Sequence, residues 1–98
     1  MKKIINAPDL VEEQMMEGLR KAYPGYVRRL DGTSVFVRSE PKKGKVALIS
    51  GGGSGHEPAH AGYIGTGMLD AAVCGPVFTS PTPDQVYEAI QAVSAGEG

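Results

Sequence analysis

Apolar positions recur along this chain with two periods, one helical and one extended, and the places where the period changes mark the elements. Val11, Met15, Leu19 and Ala22 follow one another at spacings of four, four and three, which sets them on one face of a helix. Asn6 or Asp9 is placed to cap it, and Pro24-Gly25 stops it. Met15 and Met16 read as core filling. The period then shortens to two. Tyr26 to Leu30 and Thr33 to Arg38 flank Asp31-Gly32, a pair suited to a type I′ hairpin turn with positive φ at both central residues. Val35 and Val37 share one strand face and Phe36 takes the other. Residues 39–44, with Pro41 and the lysines Lys42, Lys43 and Lys45 close by, read as a solvated connection.

Val46-Ala47-Leu48-Ile49 is a continuous apolar run, as expected of a strand covered on both faces in an α/β sheet. It ends at Ser50 and enters a glycine turn, Gly51-Gly52-Gly53-Ser54-Gly55-His56. Pro58 fits the first turn of a short helix that fades by Gly65 or Gly67. Leu69 to Phe78 reads as strand, with Gly75-Pro76 as an interruption or bulge near its end. The last element is a helix from Pro83. Thr82 is its N-cap, Gln85 completes a capping box, and Val86, Ala89, Ile90 and Val93 form its apolar face. Gly96 supplies the C-cap. Such a helix normally crosses back to another parallel strand. The expectation is therefore an incomplete α/β domain over residues 1–98, the N-terminal portion of a longer protein. Its parallel or mixed sheet is flanked by helices and carries a β-hairpin.

Bulk properties narrow the function classes. The chain has 98 residues, 41% of them hydrophobic and 21% charged, an ordinary globular balance for one small domain. Ten basic and eleven acidic residues leave a formal charge of −1. No basic stripe points to nucleic acid and no cationic amphipathic face points to a membrane. The lone Cys74 excludes an intramolecular disulfide and argues for a reducing compartment. The start, Met1-Lys2-Lys3-Ile4-Ile5, resembles a signal peptide, but the apolar run stops at Asn6. No run approaches the roughly 18 residues a membrane span needs. These features read as cytoplasmic. The 14 glycines and seven prolines are the unusual feature and demand tight turns and close backbone approaches.

Strand, glycine turn and helix together point backbone N–H groups at a ligand oxygen, and glycines are needed because side chains would block that approach. The alternative is a purely structural turn. Familiar glycine motifs do not fit. A P-loop needs Gly-Lys-Ser/Thr where His56 and Glu57 follow Gly55. The third glycine of a dinucleotide fingerprint would fall on His56. A nucleophile elbow would also need glycine there, so Ser54 is not assigned as a nucleophile. His56-Glu57-Pro58-Ala59-His60 matches the letters of a zinc-protease helix. Pro58 and the preceding glycines break the continuous helix that motif requires, and no third ligand is evident, so no metal site is assigned. His56 reads as an acid/base group, because a free imidazole trades protons near neutrality. Glu57 is placed to orient it. The alternative is a capping or packing histidine. His60 reads as a supporting residue, and Tyr63 and Cys74 as packing. Ser80 reads as a neighbour of the glycine turn, since loops after parallel strands gather at one sheet edge.

The stretch Lys45-Val46-Ala47-Leu48-Ile49-Ser50-Gly51-Gly52-Gly53-Ser54-Gly55-His56-Glu57-Pro58 resembles the signature of dihydroxyacetone kinases, in particular their substrate-binding subunit or domain. The resemblance continues through Ala59 to Gly65, Gly67-Met68-Leu69 and Phe78 to Asp84, and takes in both ends of the chain. Only residues 24–44 match loosely. It implies that Gly53, Ser54, Gly55 and His56 contact dihydroxyacetone, with His56 as the base on the attacking hydroxyl. It also implies that this chain itself binds no cofactor. ATP or ADP and magnesium are expected on a partner subunit or domain, and the phosphoryl donor is either ATP or the phosphoenolpyruvate phosphotransferase system. A homodimer is expected too. Family members use a downstream His that binds the ketone covalently, and a downstream Asp and Lys. These have no counterpart among residues 1–98, whose only histidines are His56 and His60. The chain alone is therefore expected to be inactive. The alternative function is a non-catalytic paralogue that senses dihydroxyacetone and acts as a transcriptional coactivator.

Overall fold

A computed structural model describes residues 3–98; Met1 and Lys2, the start of the signal-like stretch, lie outside the described residues. The elements in chain order are a 3₁₀ turn (Pro8–Leu10), α1 (Val11–Ala22), β1 (Val27–Arg29), β2 (Val35–Arg38), β3 (Ile49–Ser54), a second 3₁₀ turn (Ala61–Tyr63), β4 (Ala71–Val77) and α2 (Pro83–Val93). The four strands form one sheet in the order β1-β2-β4-β3. β1 and β2 pair antiparallel, β2 and β4 antiparallel, and β3 and β4 parallel. The expected α/β fold, with a mixed sheet and a hairpin, is thus present.

Alternation along the strands separates two cores, because successive side chains point to opposite faces. Val35 and Val37 of β2 and Ala71 and Val73 of β4 turn to one face, where Ala89 of α2 covers them. Phe36 of β2 and Ala72 of β4 turn to the other, where Met16 of α1 and Ala61 and Ile64 of the β3–β4 connection cover them. The helical spacing of α1 is as expected, but its most buried residue is Met16, with Met15 and Leu19 only partly covered. Arg29 clamps α1 to the hairpin. Its guanidinium bonds Glu13 and Glu17 and donates to the Thr33 carbonyl at 2.8 Å.

Several local expectations are overturned by non-local partners. Asn6 does not cap α1; it donates to Gln14 at 3.0 Å, and the 3₁₀ turn leads into the helix instead. Thr82 precedes α2 as expected but makes no side-chain capping bond, and Gln85 Oε1 accepts from the Ser34 N–H at 2.8 Å in place of the capping-box bond to the Thr82 N–H. The hairpin turn is not type I′. Gly32 has φ +70° while Asp31 does not adopt positive φ, and the Thr33 N–H closes the turn on the Leu30 carbonyl at 3.1 Å. Val46 and Leu48 are exposed and lie before β3, which begins only at Ile49 and forms a sheet edge. The apolar run is therefore not a strand covered on both faces. No helix starts at Pro58: the connection holds only the 3₁₀ turn at Ala61–Tyr63. Gly62, Gly65 and Gly67 each cost a helix about 1 kcal/mol, and the run is too short to offset that. The bulge expected at Gly75-Pro76 is present: Gly53 pairs with Gly75 and Ser54 with Val77, which leaves Pro76 as the extra residue.

Lys45 does not belong to a solvated loop. It is ion-paired to Asp70, a buried carboxylate that also accepts the Leu48 N–H at 2.8 Å and lies 3.6 Å from Arg38. Burial pushes the Asp70 carboxyl up, but the bonds from Lys45 and Leu48, with the charges of Lys45 and Arg38, outweigh it and hold the group below its ordinary range. This cluster fixes the entry to β3 at the end opposite the glycines.

Candidate functional site

The glycine segment is a strand and not a turn. Gly51, Gly52 and Gly53 lie within β3, in parallel register with Val73, Cys74 and Gly75. What demands glycine there is the closeness of other segments. A Cβ on Gly51 would lie 2.9 Å from the Val73 carbonyl oxygen, and one on Gly52 would lie 2.7 Å from His60 Nε2. After β4 the chain doubles back over the ends of both parallel strands. A Cβ on Gly53 would then lie 2.6 Å from the Thr79 nitrogen and 2.8 Å from Phe78 Cα, and one on Gly75 would lie 2.7 Å from the Pro81 nitrogen. Such approaches shut out any side chain.

The turn proper starts at Gly55, whose φ of +108° suits glycine. Its N–H donates to Glu57 Oε2 at 2.9 Å. Glu57 thus closes the turn and is not the partner that orients His56. Ser54 is buried, and its hydroxyl donates to the Gly75 carbonyl at 2.8 Å, locking β3 to β4 at the bulge. His56 is exposed and packs edge-to-face on Phe78, with ring centroids 5.0 Å apart. Gly53, Ser54, Gly55 and His56 are therefore brought to one edge of the sheet, at the C-terminal ends of a parallel strand pair, where α/β sheets hold ligands. The Phe78–Pro81 return brings the exposed Ser80 to the same edge.

His60 is not on a helix with His56. Its Nδ1 lies 2.8 Å from Ser50 Oγ, and its ring covers Gly52, so it ties the connection onto β3. Among the described residues, no group of three or more His, Cys, Asp or Glu side chains is placed to hold a metal. A separate apolar cleft of about 620 Å³ lies between α1 and the connection, lined by Met15, Met16, Leu19, Phe36, Pro58 and Cys74 among others. Burial, and secondarily the charge of Glu57, raise the Cys74 thiol to about 11. Tyr63 is exposed, not packed.

Sequence reasoning missed two residues at this edge. Phe78 carries the His56 contact, and Glu12 Oε1 accepts the Val77 N–H at 2.8 Å, tying α1 to the end of β4. Neither has a local signal, since their partners lie far along the chain.

With this geometry in place, comparison with known proteins is decisive. The family model described as the Dak1 domain matches residues 17–98. The chain belongs to the Dak1 family. One relative of this Dak1 chain, from Listeria innocua, is 63% identical over all 98 residues. It bears the name PTS-dependent dihydroxyacetone kinase 1, dihydroxyacetone-binding subunit DhaK. The chain spans 30% of that relative's length. A second, the DhaKLM operon coactivator DhaQ of Lactococcus lactis, is 42% identical over 98% of the chain and 29% of its own length. Among solved structures, the dihydroxyacetone kinase of C. freundii in complex with AMP-PNP and Mg2+ superposes with a TM-score of 0.87. It is 46% identical and covers 95% of this chain, which is 18% of the kinase chain. Among the described residues, no helix is long and apolar enough to cross a membrane.

Proposed function

We propose that this chain is the ketone-holding edge of a dihydroxyacetone kinase of the phosphotransferase-linked type. Dihydroxyacetone lies at the C-terminal ends of β3 and β4. Gly53 and Gly55 let the Phe78–Thr79 return pack closely against the strand end beside it, and Ser54 shapes the backbone through its bond to Gly75. His56 takes the proton from the substrate hydroxyl as that oxygen attacks the phosphoryl group and the bond to the donor breaks. The observation that carries this reading is the exposed His56 at the C-terminal ends of the parallel strands β3 and β4.

The nucleotide and magnesium belong to a partner subunit or domain, a reading supported by the C. freundii kinase in complex with AMP-PNP and Mg2+, of which this chain covers only 18%. The protein works in the cytoplasm as a homodimer beside that nucleotide-bearing subunit. The kinase-subunit reading is preferred to the coactivator reading because identity to the DhaK relative is 63% against 42% to DhaQ.

The test uses the complete protein with its nucleotide-bearing partner. Calorimetry should detect dihydroxyacetone binding, and His56→Ala should lower phosphorylation by at least about 100-fold, the usual weight of a positioned acid/base group. Binding without turnover would favour the sensing paralogue. No binding at all would overturn both.

A further inference from the structure

The His56 imidazole has no side-chain hydrogen bond to any described residue, and the carboxylate next to it, Glu57, is spent on the Gly55 N–H. An acid/base group needs a fixed orientation to be effective. What holds the ring is Phe78, which meets it at 5.0 Å between centroids with planes inclined by 71°. That edge-to-face arrangement is one aromatic rings favour.

Phe78 is unusual in three further respects. Among the described residues it is the one non-glycine with positive φ, +50°. A bulky residue rarely adopts that conformation, which is strained. The side chain is 69% exposed, so burial does not offset the strain. The surroundings nevertheless hold the conformation from both sides. Phe78 N–H donates to the Ser54 carbonyl at 2.7 Å, and the preceding amide of Val77 is held by Glu12 of α1. Gly53 and Gly55 are bare where Phe78 lies: a Cβ on Gly55 would sit 2.8 Å from its ring and one on Gly53 2.8 Å from its Cα. Turn geometry alone would be better served by glycine or asparagine. A phenyl ring is kept there at a local cost, and its contact is His56.

We infer that Phe78 is a positioning residue for His56. Its ring restricts the imidazole to one plane and one rotamer and shields one side of it from water. The glycines at 53 and 55 admit the ring to that place. This inference rests on the reading of His56 as the base.

Phe78→Gly, Phe78→Leu and Phe78→Tyr in the complete protein, assayed with the nucleotide-bearing subunit, test it. Phe78→Gly removes the ring and also relieves the strained φ, so the fold should be at least as stable as the parent. We expect kcat to fall about 10- to 100-fold in the Gly and Leu variants, with KM for dihydroxyacetone within about twofold, the mark of lost orientation and not lost binding. Phe78→Tyr should recover most of the rate. Proton NMR of the imidazole C–H signals supplies a readout independent of activity: the His56 signals should move in the Gly and Leu variants and stay near the parent position in the Tyr variant. A Gly variant with kcat within about twofold of the parent, or His56 signals that do not move, would overturn the inference. If the parent neither binds nor phosphorylates the ketone, the proposed function fails, and the NMR comparison still reports on the contact by itself.

Discussion

Replacing Gly53 by alanine is expected to destabilise the protein, while the same change at Gly18 is expected to stabilise it. A Cβ at Gly53 would sit 2.6 Å from the Thr79 nitrogen, roughly 0.8 Å inside the 3.4 Å at which ordinary contact begins, and Phe78 Cα and carbonyl carbon are within 2.9 Å of it. All three are backbone atoms, so no rotamer change can relieve the overlap. The Phe78–Thr79 segment would have to retreat while Phe78 N–H is bonded to Ser54 and Val77 N–H to Glu12. Overpacking of this kind costs about 1–3 kcal/mol. The lower entropy of an unfolded chain with alanine offsets about 0.4–1 kcal/mol. A net loss of up to about 2.6 kcal/mol, centred on about 1.3 kcal/mol, remains. Gly18 lies in the middle of α1, exposed, with nothing within 4 Å of an added Cβ. Alanine there should add about 0.5–1 kcal/mol from helix propensity alone. Urea unfolding of both variants beside the parent, with unchanged slope, measures the two differences. Their opposite signs are the discriminating result. If Gly53→Ala were as stable as the parent, the close passage of the return segment over β3 would be wrong, and the account of the site edge with it.

Further outcomes follow from two titratable groups that the fold shields. Asp70 is held below its ordinary range in the folded protein, so its stabilisation is present above the unfolded carboxyl range and is lost as pH falls through the lower folded value. Asp70→Asn should therefore cost about 1–3 kcal/mol at neutral pH and flatten the acid limb of stability against pH, read by urea midpoints between about pH 2 and 5; an unchanged acid limb would refute it. The Cys74 thiol, raised to about 11 by burial, should alkylate with iodoacetamide far more slowly at pH 8 than the same protein in urea. Its neutral form is favoured in the fold, so stability should also decline as pH climbs from the free-thiol value of about 8.5, and Cys74→Ala should lose that slope.

The parts of this fold that could be read from sequence are those whose causes are local. The α2 start at Pro83, the division of Val35 and Val37 from Phe36, and the bulge at Gly75-Pro76 each follow from a few adjacent residues, and each is present. The misreadings share another origin. Gln85 looks like a capping residue until Ser34, 51 positions away, takes its oxygen. Lys45 looks solvated until Asp70, 25 positions on, is folded beneath it. A run of glycines looks like a turn because flexibility is their local property. Here their use is clearance, and what needs the clearance is the His60 ring and the backbone of Phe78 and Thr79. This bears directly on function. The letters of residues 53–56 suggested a loop that wraps a ligand with its own amides. The structure supports a firmer arrangement. β3 is pinned at Asp70 below and at Ser54–Gly75 above, α1 reaches across to hold the end of β4, and the return through Phe78 closes on His56. His56 presented in this way depends on segments distant in sequence from it, so substitutions at Glu12 or Gly75 should register at His56 before they register in the core.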